Sequence, residues 1–352
     1  MSSAIITLLT FLPFGVILWL ASLADRRSIE GAKHPVLAGV SYFLLIGFYG
    51  TLILLGLFLW AAGILSMPLP EQMLASFQQM GLDAAGAHTA LAGVGLGFWL
   101  PSLVGIVLIL PPVRRLLAHL LPIDPSRTVH AVALSYTMII VINLMVTLGA
   151  GLNTLASMMK NSAQSSGNSV GIGAVWMQEG LMALLALIGV GWLSRRRLGD
   201  ALRRLGLTVP SWRQLALGLA IGVALAPLIL LSERLLSGVG VSSDADVERL
   251  TEALLGPLFA SIPGILTLGL AAALGEELIF RGALQPRFGI IVTAALFALT
   301  HSNYGITLST AIVLLLGVVL GLLRRRGNTT MSMCTHAAYN ITLGLVAFFH
   351  LM

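Results

Sequence analysis

The chain has 352 residues, 57% of them hydrophobic and 10% charged, with a formal net charge of +6. Soluble domains carry roughly 25% charged residues, so this sequence lacks the charge to wet the surface of a soluble protein of its size. That excludes a soluble enzyme, a disordered protein and a nucleic-acid module, and sets the fold class as all-α, a polytopic bundle of transmembrane helices.

Ten apolar stretches follow one another along the chain. They cover residues 4–23, 36–63, 90–110, 129–152, 172–193, 215–231, 258–280, 290–301, 309–323 and 329–351. The eighth is short and shades into 302–307. No Lys or Arg precedes the first, whereas a cleaved signal peptide needs a positive leading region, so it reads as a retained span. The charges between stretches test this division. Loops 1, 3, 5, 7 and 9 hold 17 of the 20 basic residues, with Arg281 and Arg287 assigned to loop 7. Loops 2, 4, 6 and 8 hold only Lys160, Arg234 and Arg249. The positive-inside rule then makes the odd loops cytoplasmic and puts both termini outside. Because the basic residues sit in short loops between apolar runs, the partner they indicate is the lipid bilayer and not nucleic acid.

The loops add minor features. Met73, Leu74, Phe77 and Met80 make an apolar stripe at helical spacing in an outer loop. Leu198, Leu202 and Leu205 do the same in the basic fifth loop, with its arginines expected at anionic headgroups. Residues 161–168 read as a flexible Ser/Gly/Asn-rich loop. Asp244, Asp246, Glu248 and Glu252 read as a solvated acidic face.

Ionisable residues inside a membrane are costly and mark functional candidates. Three acids fall inside the stretches: Glu179, Glu276 and Glu277. Glu179 sits near the outer end of the fifth stretch, where it reads as structural. Glu276 and Glu277 are adjacent and cannot both ionise cheaply in lipid. Arg281, four residues after Glu277 on the same helix face, can neutralise one of them. The other keeps a desolvated carboxyl beside a like charge, the setting of a general base. A structural ion pair that locks the helix is the competing reading. His301, His336 and Asn340 are the available partners. Counted from the cytoplasmic ends at 1.5 Å per residue, Glu276 lies about 9 Å deep, His336 about 12 Å, and His301 and Asn340 about 18 Å. All four can converge in the inner half of the bilayer. No His is followed by Glu, so a His-Glu-x-x-His zinc protease is excluded; no Asp lies in a span, so an aspartyl dyad is excluded. Ser302 and Ser332 neighbour histidines without a Gly-x-Ser-x-Gly element. A glutamate-activated water with histidine helpers remains.

At these residues the sequence resembles the CPBP family of intramembrane proteases, which includes the Rce1-type CAAX prenyl endopeptidases and the bacterial Abi proteins. The motif Glu-Glu-x-x-x-Arg matches Glu276, Glu277 and Arg281, with Gly282 following. Phe-x-x-x-His matches Phe297 and His301, and His-x-x-x-Asn matches His336 and Asn340. The resemblance covers roughly residues 207–351. It implies that Glu276 is the general base, that His301 helps hold the water, and that His336 and Asn340 stabilise the oxyanion. Glu277 with Arg281 would position Glu276. Family members are often labelled metalloproteases, and Glu plus two His is a sound zinc set, so a divalent metal is a possible cofactor that the sequence does not require.

The sequence thus reads as an intramembrane endopeptidase in a bacterial inner (plasma) membrane, acting on a membrane-associated or lipidated protein or peptide. Residues 1–194 form a five-span region of unknown role, and residues 195–352 form the catalytic membrane domain. Two other classes stand beside it. A transporter is suggested by Pro13, Pro101, Pro227 and Pro263 within spans and by 38 glycines, but would need its acids in a cavity shared by both halves. A non-catalytic scaffold or bacteriocin-immunity protein would not need the full motif set.

Overall fold

The computed structural model describes residues 3–29, 35–166, 171–238 and 244–349. These form helices, with no β-strand among the described residues. The first six helices are α1 (Ser3–Ile29), α2 (Pro35–Ile64), α3 (Glu71–Gln79), α4 (Ala84–Leu108), α5 (Pro111–Leu117) and α6 (Thr128–Ala150). Helices α2, α4 and α6 lie side by side. Lipid tails give no hydrophobic drive between helices, so small residues that let backbones approach do the work. A Cβ on Gly93 would meet the Cα of Gly149 at 2.7 Å, which fixes how close α4 and α6 come. Asp25, near the end of α1, accepts the backbone N–H groups of Thr128 at 2.8 Å and Val129 at 3.2 Å. It thereby caps the positive end of α6.

Next come α7 (Leu152–Ser166), α8 (Ile172–Gly189), α9 (Leu198–Leu205), α10 (Trp212–Gly238), α11 (Ala245–Phe259) and α12 (Ile262–Glu277). Residues 161–166, expected as loop, continue α7; residues 167–168 lie outside the described residues. Helix α9 does not lie loosely at headgroup level. Ala201 and Leu205 are fully buried, and the Leu205 carbonyl accepts the Thr329 hydroxyl at 2.6 Å. The acidic segment is ordinary decoration: Asp244 caps α11 through the Asp246 N–H at 2.8 Å, and Asp246 pairs with Arg249 at 3.2 Å.

A π-helical turn (Leu278–Leu284) follows α12 and leads into α13 (Gln285–Thr300), then α14 (Leu308–Arg326) and α15 (Thr329–Phe348). Phe280 and Phe297 are separated by 17 residues, about 26 Å along a straight helix, yet their rings lie 5.4 Å apart. The chain therefore doubles back, at Gly289, whose φ of 76° and ψ of 174° are not helical. This corrects the placement of Arg281 in a cytoplasmic loop: it is 1% exposed, inside the π-helical turn.

Eight segments among the described residues are long and apolar enough to cross a membrane. One of them, Ile262–Thr300, is 39 residues long and contains the reversal, so it accommodates both the seventh and the eighth sequence stretches. Helix α15, with 20 residues, is long enough but more polar and stands outside the eight. The polytopic all-α bundle expected from composition is the observed architecture. Helix α8 packs on α1 and α12 and so joins the two halves, while α10 and α12 flank α15.

Candidate functional site

Adjacent residues on a helix point about 100° apart, so Glu276 and Glu277 face different surroundings. Glu277 turns inward and is completely buried. Its Oε2 accepts the Ser332 hydroxyl at 2.5 Å and lies 3.3 Å from Arg281 Nε. Its Oε1 accepts from His336 Nδ1 at 3.1 Å. A buried carboxylate is tolerable only when paired and hydrogen-bonded, and Glu277 has both kinds of partner. The Arg281 guanidinium sits 4.4 Å from the Phe297 ring centroid, a cation–π contact. Its nitrogens make no directed hydrogen bond among the described residues. Its carbonyl accepts from Arg324 Nε at 3.0 Å, which ties the π-helical turn to α14.

His336 stands between the two carboxylates. With Nδ1 on Glu277, its Nε2 faces Glu276 Oε2 at 3.8 Å. Glu276 is 16% exposed, and its Oε2 is buried without a hydrogen-bond partner. His301 ends α13, where its Nδ1–H donates to the Phe297 carbonyl at 3.0 Å. A carbonyl only accepts, so the neutral ring keeps a lone pair on Nε2. Phe297 meets both imidazoles edge to face, at 5.1 Å for His301 and 5.8 Å for His336. Asn340 follows His336 by one turn of α15 and is half-buried. The structure thus sets His336 against both carboxylates, pairs Glu277 with Arg281 and attaches His301 through the Phe297 ring.

Three neighbours were not foreseen as parts of this cluster. Ser332 drew notice only as a nucleophile candidate; its position four residues before His336, on the same face, was the available clue to its bond with Glu277. Tyr304 stacks on His301 with ring planes 9° apart. Glu179, expected near the outer interface, is 5% exposed and packs on the backbone of Gly275, where a Cβ would overlap its carboxylate. Gln178 Nε2 donates to its Oε1 at 3.3 Å, and Oε2 has no partner. The N-terminal half therefore brings a carboxylate to the cluster, and the acids are not confined to the last third of the chain.

The zinc set fits poorly. A catalytic zinc takes three protein ligands, and no group of three His, Cys, Asp or Glu is arranged to hold a metal among the described residues. His336 lacks a carboxylate close in sequence, but Glu277 supplies the partner that a metal-bound histidine usually has, from 59 residues away.

Residues 258–342 match the family model described as type II CAAX prenyl endopeptidase Rce1-like. The match takes in all six motif residues, from Glu276 to Asn340. No curated protein and no solved structure matches the chain.

Proposed function

With residues 258–342 belonging to the Rce1-like family and the helices to an integral membrane protein, we propose that the chain is an intramembrane endopeptidase in which Glu276 activates the attacking water. The observation that carries this reading is the 3.8 Å separation of Glu276 Oε2 and His336 Nε2. That is too long for a direct hydrogen bond and suits one water oxygen contacting both groups. Glu276 takes the water proton as the oxygen attacks the peptide carbonyl, and returns it to the leaving amine. With Nδ1–H committed to Glu277, the imidazolium form of His336 also presents Nε2–H, which faces the developing oxyanion. The Asn340 amide adds a second donor, and His301 Nε2 accepts from the water. Glu277, held by Arg281 and Ser332, fixes the His336 ring. No step runs through a metal.

The substrate in this reading is a membrane-associated or lipidated protein, cut in the cytoplasmic half of a bacterial inner membrane, with both chain termini outside. Residues 195–352 supply the motif residues, and the region 1–194 buttresses them through α8. Cleavage of a lipidated CAAX-type peptide by the purified full-length protein is the test. Glu276→Gln keeps the shape but cannot take a proton, so turnover should fall by about 10²–10⁴-fold with thermal stability retained. Undiminished cleavage by that variant overturns the proposal. The orientation has its own test: a cysteine at Ser211 should resist an impermeant label in intact cells, while one at Ser165 reacts.

A further inference from the structure

Away from the glutamates, a cavity of about 190 Å³ lies between the two halves of the molecule, bounded by α1, α6, α8 and α13. Its wall is apolar, with Leu18, Ile140, Leu185, Ile279 and Phe288 among the lining residues. Its polar rim is cationic: Arg127, Arg195, Arg196, Arg204 and Arg287. An adjoining, more open recess of about 690 Å³ shares Arg127, Arg195 and Arg196 and adds Arg26 and Arg197. Among the described residues no Asp or Glu lines either space.

Among the described residues the nearby acids are already engaged with protein groups, and Asp25 offsets only part of the repulsion at Arg195. Asp25 caps α6, Asp124 pairs with Arg127 at 3.1 Å, and Asp200 pairs with Arg203 at 2.5 Å. The Nε atoms of Arg195 and Arg287 are buried without hydrogen-bond partners. Burial, and then Arg196, push the Arg195 guanidinium down to about 10; burial, and then Arg287, do the same to Arg204. Both stay charged at neutral pH, so the protein holds mutually repelling cations around an apolar slot. Such an arrangement is costly unless something anionic sits among them.

An occupant must therefore join an anionic, oxygen-rich head to a hydrocarbon tail. Arginine forks match phosphate geometry in bidentate fashion, and basic pockets between membrane helices bind lipid headgroups. A cavity of this order of size takes a short piece of hydrocarbon, as an apolar cavity of about 150 Å³ takes benzene. We propose that this cavity binds an anionic phospholipid, with its phosphate among Arg195, Arg196, Arg204 and Arg287 and the end of an acyl chain against Leu185 and Ile279. Ile279 lies three residues after Glu276, so the occupant abuts the helix that carries the glutamates without touching them.

The test titrates the full-length protein in detergent with phosphatidylglycerol, phosphatidylcholine or inorganic phosphate, reading bound mass by native mass spectrometry and the shift in thermal unfolding. One phosphatidylglycerol should bind and stabilise at least tenfold more tightly than phosphatidylcholine or phosphate. The double variant Arg204→Gln, Arg287→Gln should weaken phosphatidylglycerol at least tenfold. A Cβ at Gly189, which lines the cavity, meets nothing within 4 Å. Gly189→Leu should therefore fill the tail slot, weakening the lipid but not phosphate. Equal binding of phosphatidylcholine overturns the charge recognition. Phosphate binding as tight as phosphatidylglycerol, with Gly189→Leu silent, makes this a free-anion site and overturns the lipid. The three-ligand comparison on the unmodified protein decides even if a variant fails to fold.

Discussion

In the bundle of α2, α4 and α6, the buried Tyr49 and Ser135 are neutral and bonded to backbone. Tyr49 donates to the Ser135 carbonyl at 2.6 Å, and Ser135 donates to the Gly105 carbonyl at 2.8 Å. Around α12 and α15 the buried groups are charged and depend on partners far away in sequence. Glu277 needs Arg281, Ser332 and His336 together. Each neutral bond in the first region can be lost singly. A charge in the second region cannot lose its partner without leaving an uncompensated ion in low dielectric. The first region is built to hold helices together, whereas the second holds costs that packing alone does not require.

The largest effect should come from splitting the ion pair. Arg281→Met strands Glu277 at a completely buried position and should cost about 3–5 kcal/mol, read as a lowered unfolding temperature in a fixed detergent. Adding Glu277→Gln should restore much of that loss, because removing both charges is far cheaper than removing one. If the double variant is no more stable than the single one, the pair is not what stabilises this region. Cleavage should stay low in the double variant, which lacks the Glu277 carboxylate that holds the His336 ring.

A smaller loss should follow from removing one oxyanion donor. Asn340→Ala should lower turnover about 100-fold, about 2.7 kcal/mol, with stability nearly unchanged. Extensive chelation should leave the unmodified enzyme active. If chelation kills activity, stoichiometric zinc restores it and Asn340→Ala is mild, then His336 is a metal ligand and not an oxyanion donor.

These two regions were unequally legible in the sequence. Hydropathy located the membrane helices because burial in lipid acts on every residue of a span. Depth counting placed Glu276 and His336 within about 3 Å of the same level, close to where they meet. It could not give the rotation of the helices about their axes, so it left open which glutamate faces His336. The turn between the seventh and eighth stretches was legible and falls at Gly289, but the burial of Arg281 was not. A loop had been drawn from the charges of Arg281 and Arg287, but the chain stays helical past the first and turns at a glycine with no polar run around it. Glu179 was misplaced for a similar reason: an acid near the end of an apolar stretch looks interfacial until Gly275 on another helix gives it somewhere to pack. The missing side chain at Gly275 is meaningful only once α8 and α12 are known to touch.

That contact supplies the next prediction. Gly275→Ala puts a methyl group where the Glu179 carboxylate lies. Overpacking of this kind costs about 1–3 kcal/mol. It should also shift Glu276, the next residue, so turnover should fall even where the protein remains folded. Glu179→Ala in the same background should recover only part of the loss, because the methyl group also meets the Glu179 carbonyl oxygen at 2.7 Å and its Cα at 2.9 Å. With no recovery at all, the carboxylate is not what packs on Gly275.

The smallest effect should appear in the neutral region. Tyr49 is fully buried, and its ring lies against Gly105, where a Cβ would meet the ring at 2.7 Å. Tyr49→Phe keeps that ring and removes only the hydroxyl. The Ser135 carbonyl loses one donor but lies within α6, where the backbone N–H four residues on remains available to it. The expected cost is that of one ordinary hydrogen bond, about 1 kcal/mol, seen as a small drop in unfolding temperature. Cleavage of the lipidated peptide should be unchanged, because the bundle positions nothing through that bond. A drop in turnover comparable to that of Asn340→Ala would mean that α2 and α6 are coupled to the glutamates, and that the two regions are not mechanically separate.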